Sequence, residues 1–285
     1  MSLIHTISPL LGSSPLGILL HALINQYLAD SYCLTLVLEQ PIDFKINIIY
    51  TYVTPNNETL DELTDQLFEV SEKGCSDYIV YMSDPQKFMA AFDQVSRRGN
   101  TRRSNRKIII LPYSTADSYV NQSLGLFSMK ESTFVANMLL ILPAQQEEKT
   151  CELYDLVTHE FVSLDNDQPL YLDQWDSCTQ KFIKNVNLFP HDLKNLNGRI
   201  VRVACFTYKP YSLLDLDTAL VKDQWGEIFE NGTGIGILGG VVVDRADMGI
   251  SALYSWYEEY VHLDFSAAAI RSAVTCIAPS PRQVN

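Results

Sequence analysis

The fold is decided by residues 77–111, DYIVYMSDPQKFMAAFDQVSRRGNTRRSNRKIIIL. Residues 77–82 are an apolar run of strand length. Asp84-Pro85 then opens a helix, because proline suits the first helical position and Phe88, Ala91, Phe92 and Val95 recur at helical spacing. Gly99 ends the helix, and residues 107–111 form a second strand. A strand, a crossover helix and a strand imply a parallel pair.

The alternation extends in both directions. Residues 33–38 and 46–53 are apolar, β-branched runs, and Leu60, Leu63, Leu67 and Val70 give the next helical face. Residues 134–142 supply another strand. Near the amino terminus, Leu16, Leu19, Leu20, Leu23, Ile24, Tyr27 and Leu28 share one face of a helix capped by Ser14, with Pro15 at its first position. This order predicts an α/β fold, with parallel or mixed sheets flanked by helices. No internal repeat interrupts it.

A chain of 285 residues is long enough for two modest domains, and 47% hydrophobic residues supply a packed core. The net charge of −13 argues against a nucleic-acid partner, which needs a basic face. No run of 18 apolar residues is present, so the chain as given is expected to have no membrane span. Met1 is followed by no basic segment, and Ser13, Ser14 and Pro15 break the apolar run, so no clear signal peptide is read there. Six cysteines and the sequons at Asn57, Asn121 and Asn231 nevertheless point to a secretory setting.

Catalytic and cofactor motifs find no support. Gly234-Ile235-Gly236-Ile237-Leu238-Gly239 matches the dinucleotide pattern, but an acidic, sequon-bearing segment precedes it where a strand is needed. The next acids, Asp244 and Asp247, come too early, so the glycines read as a close-packing device. His159-Glu160 starts no zinc motif, and no histidine is spaced with cysteines or acids as a metal ligand. The expectation is no metal, no cofactor and no enzyme. Arg97, Arg98, Arg102, Arg103, Arg106 and Lys107 read as a solvated loop after a helix end, in preference to a phosphate or heparin patch.

Residues 151–178 change character. Two alternating segments around Asp165-Asn166-Asp167-Gln168-Pro169 read as a small β element, and residues 185–196 as a connector. Beyond it, residues 200–206 form a strand stopped by Lys209-Pro210-Tyr211, 234–243 a short apolar helix, 246–250 an acid-led strand and 273–277 a last strand. The domains are therefore 1–187, an amino-terminal α/β domain carrying the small β element, and 188–285.

Two stretches carry a family resemblance. They are Asn187–Ser212, NLFPHDLKNLNGRIVRVACFTYKPYS, and Ala246–Arg282, ADMGISALYSWYEEYVHLDFSAAAIRSAVTCIAPSPR. They resemble the first ligand-binding segment (S1) of ionotropic glutamate receptor subunits. The Trp256–Tyr260 run makes them most similar to the divergent arthropod ionotropic receptors, which are sensory cation-channel subunits. Leu172-Asp173-Gln174-Trp175 extends the likeness more loosely, and earlier residues share only architecture.

The resemblance implies that residues 188–285 are an incomplete lobe of periplasmic-binding-protein type. It implies an extracellular position, other receptor subunits as partners, and membrane attachment only through a carboxyl-terminal part beyond the given chain. The segment between Tyr211 and Ala246 is shorter than the family's.

The same alignment implies a ligand site. It puts Glu259 where the family has an arginine for the ligand carboxylate, Ala252 where a proline offers its carbonyl, and Tyr254 where a hydroxyl side chain sits. Tyr208 takes the place of a pocket acid. A carboxylate at 259 repels an amino-acid carboxylate, so glutamate is disfavoured. Tyr208, Tyr254, Trp256 and Tyr257 would suit an amine through cation–π contact, or would simply fill the space. The alternative function is a soluble secreted small-molecule binding protein.

Cys151 and Cys178 flank the β element in the layer expected to be extracellular, and a disulfide between them would stabilise by about 3 kcal/mol. Pairing of Cys33 with Cys75 stays open, and Cys205 and Cys276 are expected as buried thiols.

Overall fold

A computed structural model describes residues 14–42, 46–55, 59–98, 106–132, 135–144, 151–161, 168–191, 198, 200–209, 224–251, 253, 259, 262, 263 and 265. The sequons at Asn57 and the positions Gly99, Arg102, Arg103, Ala252, Tyr254, Trp256, Tyr257 and Cys276 lie outside them, as does the expected strand at 273–277.

The chain begins with α1 (Pro15–Leu23), where Ser14 accepts a hydrogen bond from Gly17 N at 3.1 Å and Pro15 opens the first turn. A wider π-type turn, Ile24–Leu28, carries the apolar face onward. There follow β1 (Leu34–Leu38), β2 (Tyr50–Val53), α2 (Leu60–Glu72), β3 (Asp77–Tyr81), α3 (Pro85–Arg98), β4 (Lys107–Ile110), α4 (Asp117–Leu124) and β5 (Asn137–Pro143). Thr59 and Glu62 cap α2 reciprocally, and Asp84 caps α3 by accepting from Gln86 N and Lys87 N.

β6 (Leu153–His159), β7 (Pro169–Asp176) and β8 (Lys181–Phe182) complete one eight-stranded sheet in the order β2-β1-β3-β4-β5-β6-β7-β8. The first five strands are parallel and the last three antiparallel, so the sheet is mixed and helices flank it. The β element expected at 151–178 is thus present as β6 and β7. They widen the main sheet, because Leu140 and Pro143 of β5 pair directly with Val157 and Tyr154.

The period of two divides the strands between two cores. On one face Cys33, Val37, Tyr78, Val80, Ile108 and Ile110 meet Leu63 and Leu67 of α2 and Phe88 and Phe92 of α3. On the other, Leu34, Leu36, Ile79, Ile109 and Leu139 meet Leu19, Leu20 and Leu23 of α1. Among the described residues no helix separates β1 from β2. Ile42, Ile46 and Ile48 of that connection pack onto the α1 face instead.

Two disulfides staple this unit, Cys33–Cys75 and Cys151–Cys178. The first, left open by the sequence, joins the entrances of β1 and β3. Arg106 departs from the expected solvated cluster: it is buried, donates to Ser96 Oγ at 3.0 Å and lies 5.4 Å from the Phe92 ring centre.

The segment after β8 is docked on the amino-terminal ends of the parallel strands. Asp173 accepts from Lys184 N at 2.8 Å and Val186 N at 3.3 Å. Tyr27 OH donates to Val186 O and accepts from Leu188 N, each at 3.2 Å. Leu188 is fully buried, Phe189 meets Tyr27 edge-on at 5.3 Å, and His191 Nε2 lies 2.7 Å from His159 O. Residues 184–191 are thus attached to the unit that holds the eight-stranded sheet.

Farther on, β9 (Val203–Cys205) pairs in parallel with β12 (Met248–Ile250), β10 (Glu227–Ile228) pairs with β11 (Gly234–Ile235), and α5 spans Gly236–Val242. Strand 200–206 is thus shorter than read, and Cys205 is a half-exposed thiol where a buried one was expected, in a pair of strands that has no third member among the described residues. No described helix is long and apolar enough to cross a membrane.

Candidate functional site

Two places can be built from residues upward. The first is the region that the receptor resemblance singles out. Its acid, Asp247, is spent within the fold: it accepts from Arg202 N and from the guanidinium, with Nη2–Oδ1 at 2.7 Å, while Arg202 Nη1 reaches Asp244 O at 2.7 Å. Arg202 is thereby held more firmly protonated than an ordinary arginine, chiefly by its hydrogen bond to Asp247. This pair ties the start of β9 to the start of β12.

The glycine motif also has a structural use. A Cβ on Gly239 would stand 2.0 Å from the Gly234 carbonyl carbon, and one on Gly234 would stand 2.5 Å from Glu227 O. The glycines let α5 lie directly on the β10–β11 hairpin, backbone against backbone, which is the close packing expected from sequence. At seven residues α5 offers no dipole site of consequence.

Of the four expected ligand residues, Tyr208 and Glu259 are described; Ala252 and Tyr254 lie outside the described residues. Tyr208 is half-buried, 4.8 Å from Trp225 and 6.2 Å from Phe206, ring centre to ring centre. Phe206 and Trp225 are themselves edge-on at 5.5 Å. Trp225 was not singled out by sequence, since nothing in its spacing links it to Tyr208. Glu259 is half-buried, and its carbonyl accepts from His262 N and Leu263 N. The exposed sequon Asn231 sits at the tip of the β10–β11 hairpin, its Oδ1 accepting from Thr233 N and Oγ1; Asn121 is exposed on α4.

The second place follows from topology. β1 connects outward to β2, whereas β3 connects the other way to β4, so the strand order reverses between β1 and β3. In open α/β sheets, ligands bind at such a switch, outside the carboxyl ends of the strands. Glu39 follows β1, its N–H donating to Tyr81 O at 3.0 Å and its carboxylate accepting from Ser83 N and Ser83 Oγ at 3.0 and 3.1 Å. Tyr81 and Tyr113 meet at 5.0 Å, and Tyr113 and Tyr119 at 6.4 Å. Gln40 Nε2 donates to Tyr113 OH at 2.9 Å. Tyr119 OH is held by Met82 O and Leu111 O. Glu152 and Tyr154, beside the end of β5, add a short phenol–carboxylate bond of 2.5 Å.

Burial pushes Tyr81, Tyr119 and Tyr154 up, with Tyr113 adding to the shift at Tyr81 and Glu152 to the larger one at Tyr154. Among the described residues, Glu39 and Glu152 have no lysine or arginine as ion-pair partner. Among the described residues, the carboxyl ends of β1 and β3 thus carry the Tyr81–Tyr113 ring pair, bonded to Gln40, beside the Glu39 carboxylate that Ser83 holds.

The chain matches no family model and no curated protein.

Proposed function

We propose that the chain is the extracellular ligand-binding region of a sensory cation-channel subunit that glutamate does not gate. The observation that supports this reading is the meeting of its two receptor-like stretches. β9 from the first and β12 from the second pair in parallel, Val203 beside Met248 and Cys205 beside Ile250, under the Arg202–Asp247 clamp. Two disulfides agree with an oxidising, extracellular setting. Partner subunits and attachment through a following membrane segment belong to the same proposal.

The test is the native transcript past the Asn285 codon, followed by expression of the whole reading frame in oocytes. The reading expects an apolar span, a pore segment and a second ligand-binding segment in frame, with cation current when co-subunits are present. A stop codon directly after Asn285 in mature transcripts would overturn it in favour of a secreted binding protein. For the ligand, calorimetry on the joined binding segments should show no glutamate or glycine binding, because the charge at Glu259 repels their carboxylate. Glutamate binding to the unmutated protein would refute that part.

A further inference from the structure

We propose that Asn231 carries an N-linked glycan whose first N-acetylglucosamine packs on the exposed ring of Phe229, across the loop between β10 and β11. The inference rests on the extracellular setting of the reading above and not on channel activity. It goes beyond the sequon, which says nothing of where the sugar lies.

The loop is Phe229-Glu230-Asn231-Gly232-Thr233. Gly232 N donates to Phe229 O at 2.9 Å, and Phe229 N donates to Thr233 O at 2.8 Å. Gly232 has φ +74°, whereas Glu230 and Asn231 keep negative φ. This is a type I turn followed by a left-handed glycine, a common three-residue hairpin loop. Thr233 N and Oγ1 donate to Asn231 Oδ1 at 3.1 and 2.7 Å. A backbone N–H can only donate, so the amide atom it meets is the oxygen, and the planar amide turns Nδ2 the other way. Asn231, Gly232 and Thr233 are all exposed.

The same loop sets a ring beside this amide. Phe229 and Thr233 lie opposite each other at the end of the hairpin, so their side chains share one face, and the Asn231 side chain bonds to Thr233 there. Gly234 belongs to the other face, against Gly239 of α5. Phe229 therefore points away from α5 and stays 39% exposed. Such a ring suits the C–H face of a pyranose, because apolar area is buried while the sugar hydroxyls stay in water. Asn121 lacks this arrangement: it lies on α4, and Ser123, which carries the hydroxyl of its sequon, is fully buried. The co-reactant is an oligosaccharide carried on a lipid pyrophosphate. Asn231 Nδ2 bonds to the anomeric carbon, the bond from that carbon to the pyrophosphate oxygen breaks with its electron pair leaving on the oxygen, and one amide proton is released.

The experiment is secretion of the full 285-residue chain behind a cleavable leader, in cells fed carbon-13 glucosamine. An endoglycosidase then trims each glycan to its first N-acetylglucosamine. Peptide mapping should find that sugar on Asn231, and Thr233→Val, which keeps the shape but loses the hydroxyl, should leave Asn231 bare. In the proton–carbon spectrum the Asn231 sugar, assigned by its loss in Asn231→Gln, should resonate upfield of free N-acetylglucosamine because of the Phe229 ring current. Phe229→Ala should return it to the free positions, while Phe229→Tyr should keep the upfield shift. Circular dichroism establishes that each variant is folded. A bare Asn231 in the folded, secreted parent overturns the proposal. So does a sugar spectrum that Phe229→Ala leaves unchanged. The leader supplies export in either case, so these results leave the channel reading untouched, and a stop codon after Asn285 would leave this proposal standing.

Discussion

His191 shows what one side chain decides. Its imidazole is packed against His159 at 5.6 Å and Phe161 at 5.7 Å, and its Nε2 donates to the His159 carbonyl when Nε2 carries the proton. Burial holds it below the ordinary histidine range, against a smaller upward pull from that hydrogen bond. The undocked ring therefore takes up a proton more readily than the docked one. Docking is at full strength above the undocked value of about 6.5 and weakens as pH falls from there through the lower docked value. Glu160, between the two ring-bearing residues, is exposed and does not cover the imidazole. Amide protection across 186–191, taken relative to the intrinsic exchange rate at each pH, should fall as pH drops below about 6.5, and His191→Phe should abolish that dependence. Protection that does not change with pH in the parent would count against it. Thr35 makes the opposite point. Its hydroxyl and that of Tyr78, register partners on β1 and β3, are buried and make no hydrogen bond among the described residues. Thr35→Val should raise stability by about 1 kcal/mol in urea titration, since a desolvated hydroxyl is removed at nearly constant shape. A lowered midpoint would reveal a partner for that oxygen. Neither effect is legible in sequence: the His159–Phe161–His191 packing and the Thr35–Tyr78 pairing join residues far apart in the chain.

Elements were legible where local chemistry specifies them. The Ser14 cap, Pro15, the Asp84-Pro85 opening and the Leu60–Val70 spacing all mark helices that form as read. α4 was not read, because DSYVNQSL lacks a side-chain cap and a strong apolar face; Tyr119, bonded to Met82 O and Leu111 O, anchors it from tertiary structure. The place of β6–β8 was also hidden, since alternation reveals a strand but not the neighbour it pairs with. The glycine-rich α5 permits a paired test. Gly239→Ala puts a methyl 2.0 Å from backbone that cannot give, whereas Gly240→Ala meets nothing within 4 Å. The first should destabilise the β10–β11–α5 unit by more than about 2 kcal/mol, and the second should be neutral or stabilising by up to about 1 kcal/mol from helix propensity. Proteolytic susceptibility of 224–251 in the two variants checks this; equal behaviour would mean that the contact relaxes freely.

The whole molecule combines a legible half and a concealed one. The alternation of residues 33–142 revealed the α/β class, but the strand order that creates the β1/β3 switch depends on which strands meet, and so the tyrosine rim went unnoticed. Cysteine spacing alone likewise left Cys33–Cys75 open, because only the fold brings those positions to the adjacent entrances of β1 and β3. Each disulfide should stabilise by about 3–4 kcal/mol, so the reduced protein should unfold at markedly lower denaturant than the oxidised one. Coincident transitions would show that the staples add nothing. The Cys33–Cys75 staple also has a mechanical consequence. Tension applied to the chain passes from Cys33 to Cys75 through the sulfur atoms, bypassing the 42-residue separation that contains β2 and α2. In an optical trap the oxidised molecule should withhold roughly 140 Å of contour length that a reducing agent releases. The edge of the sheet beside the β1/β3 switch is thereby sheltered from any pull that reaches the protein along its own backbone.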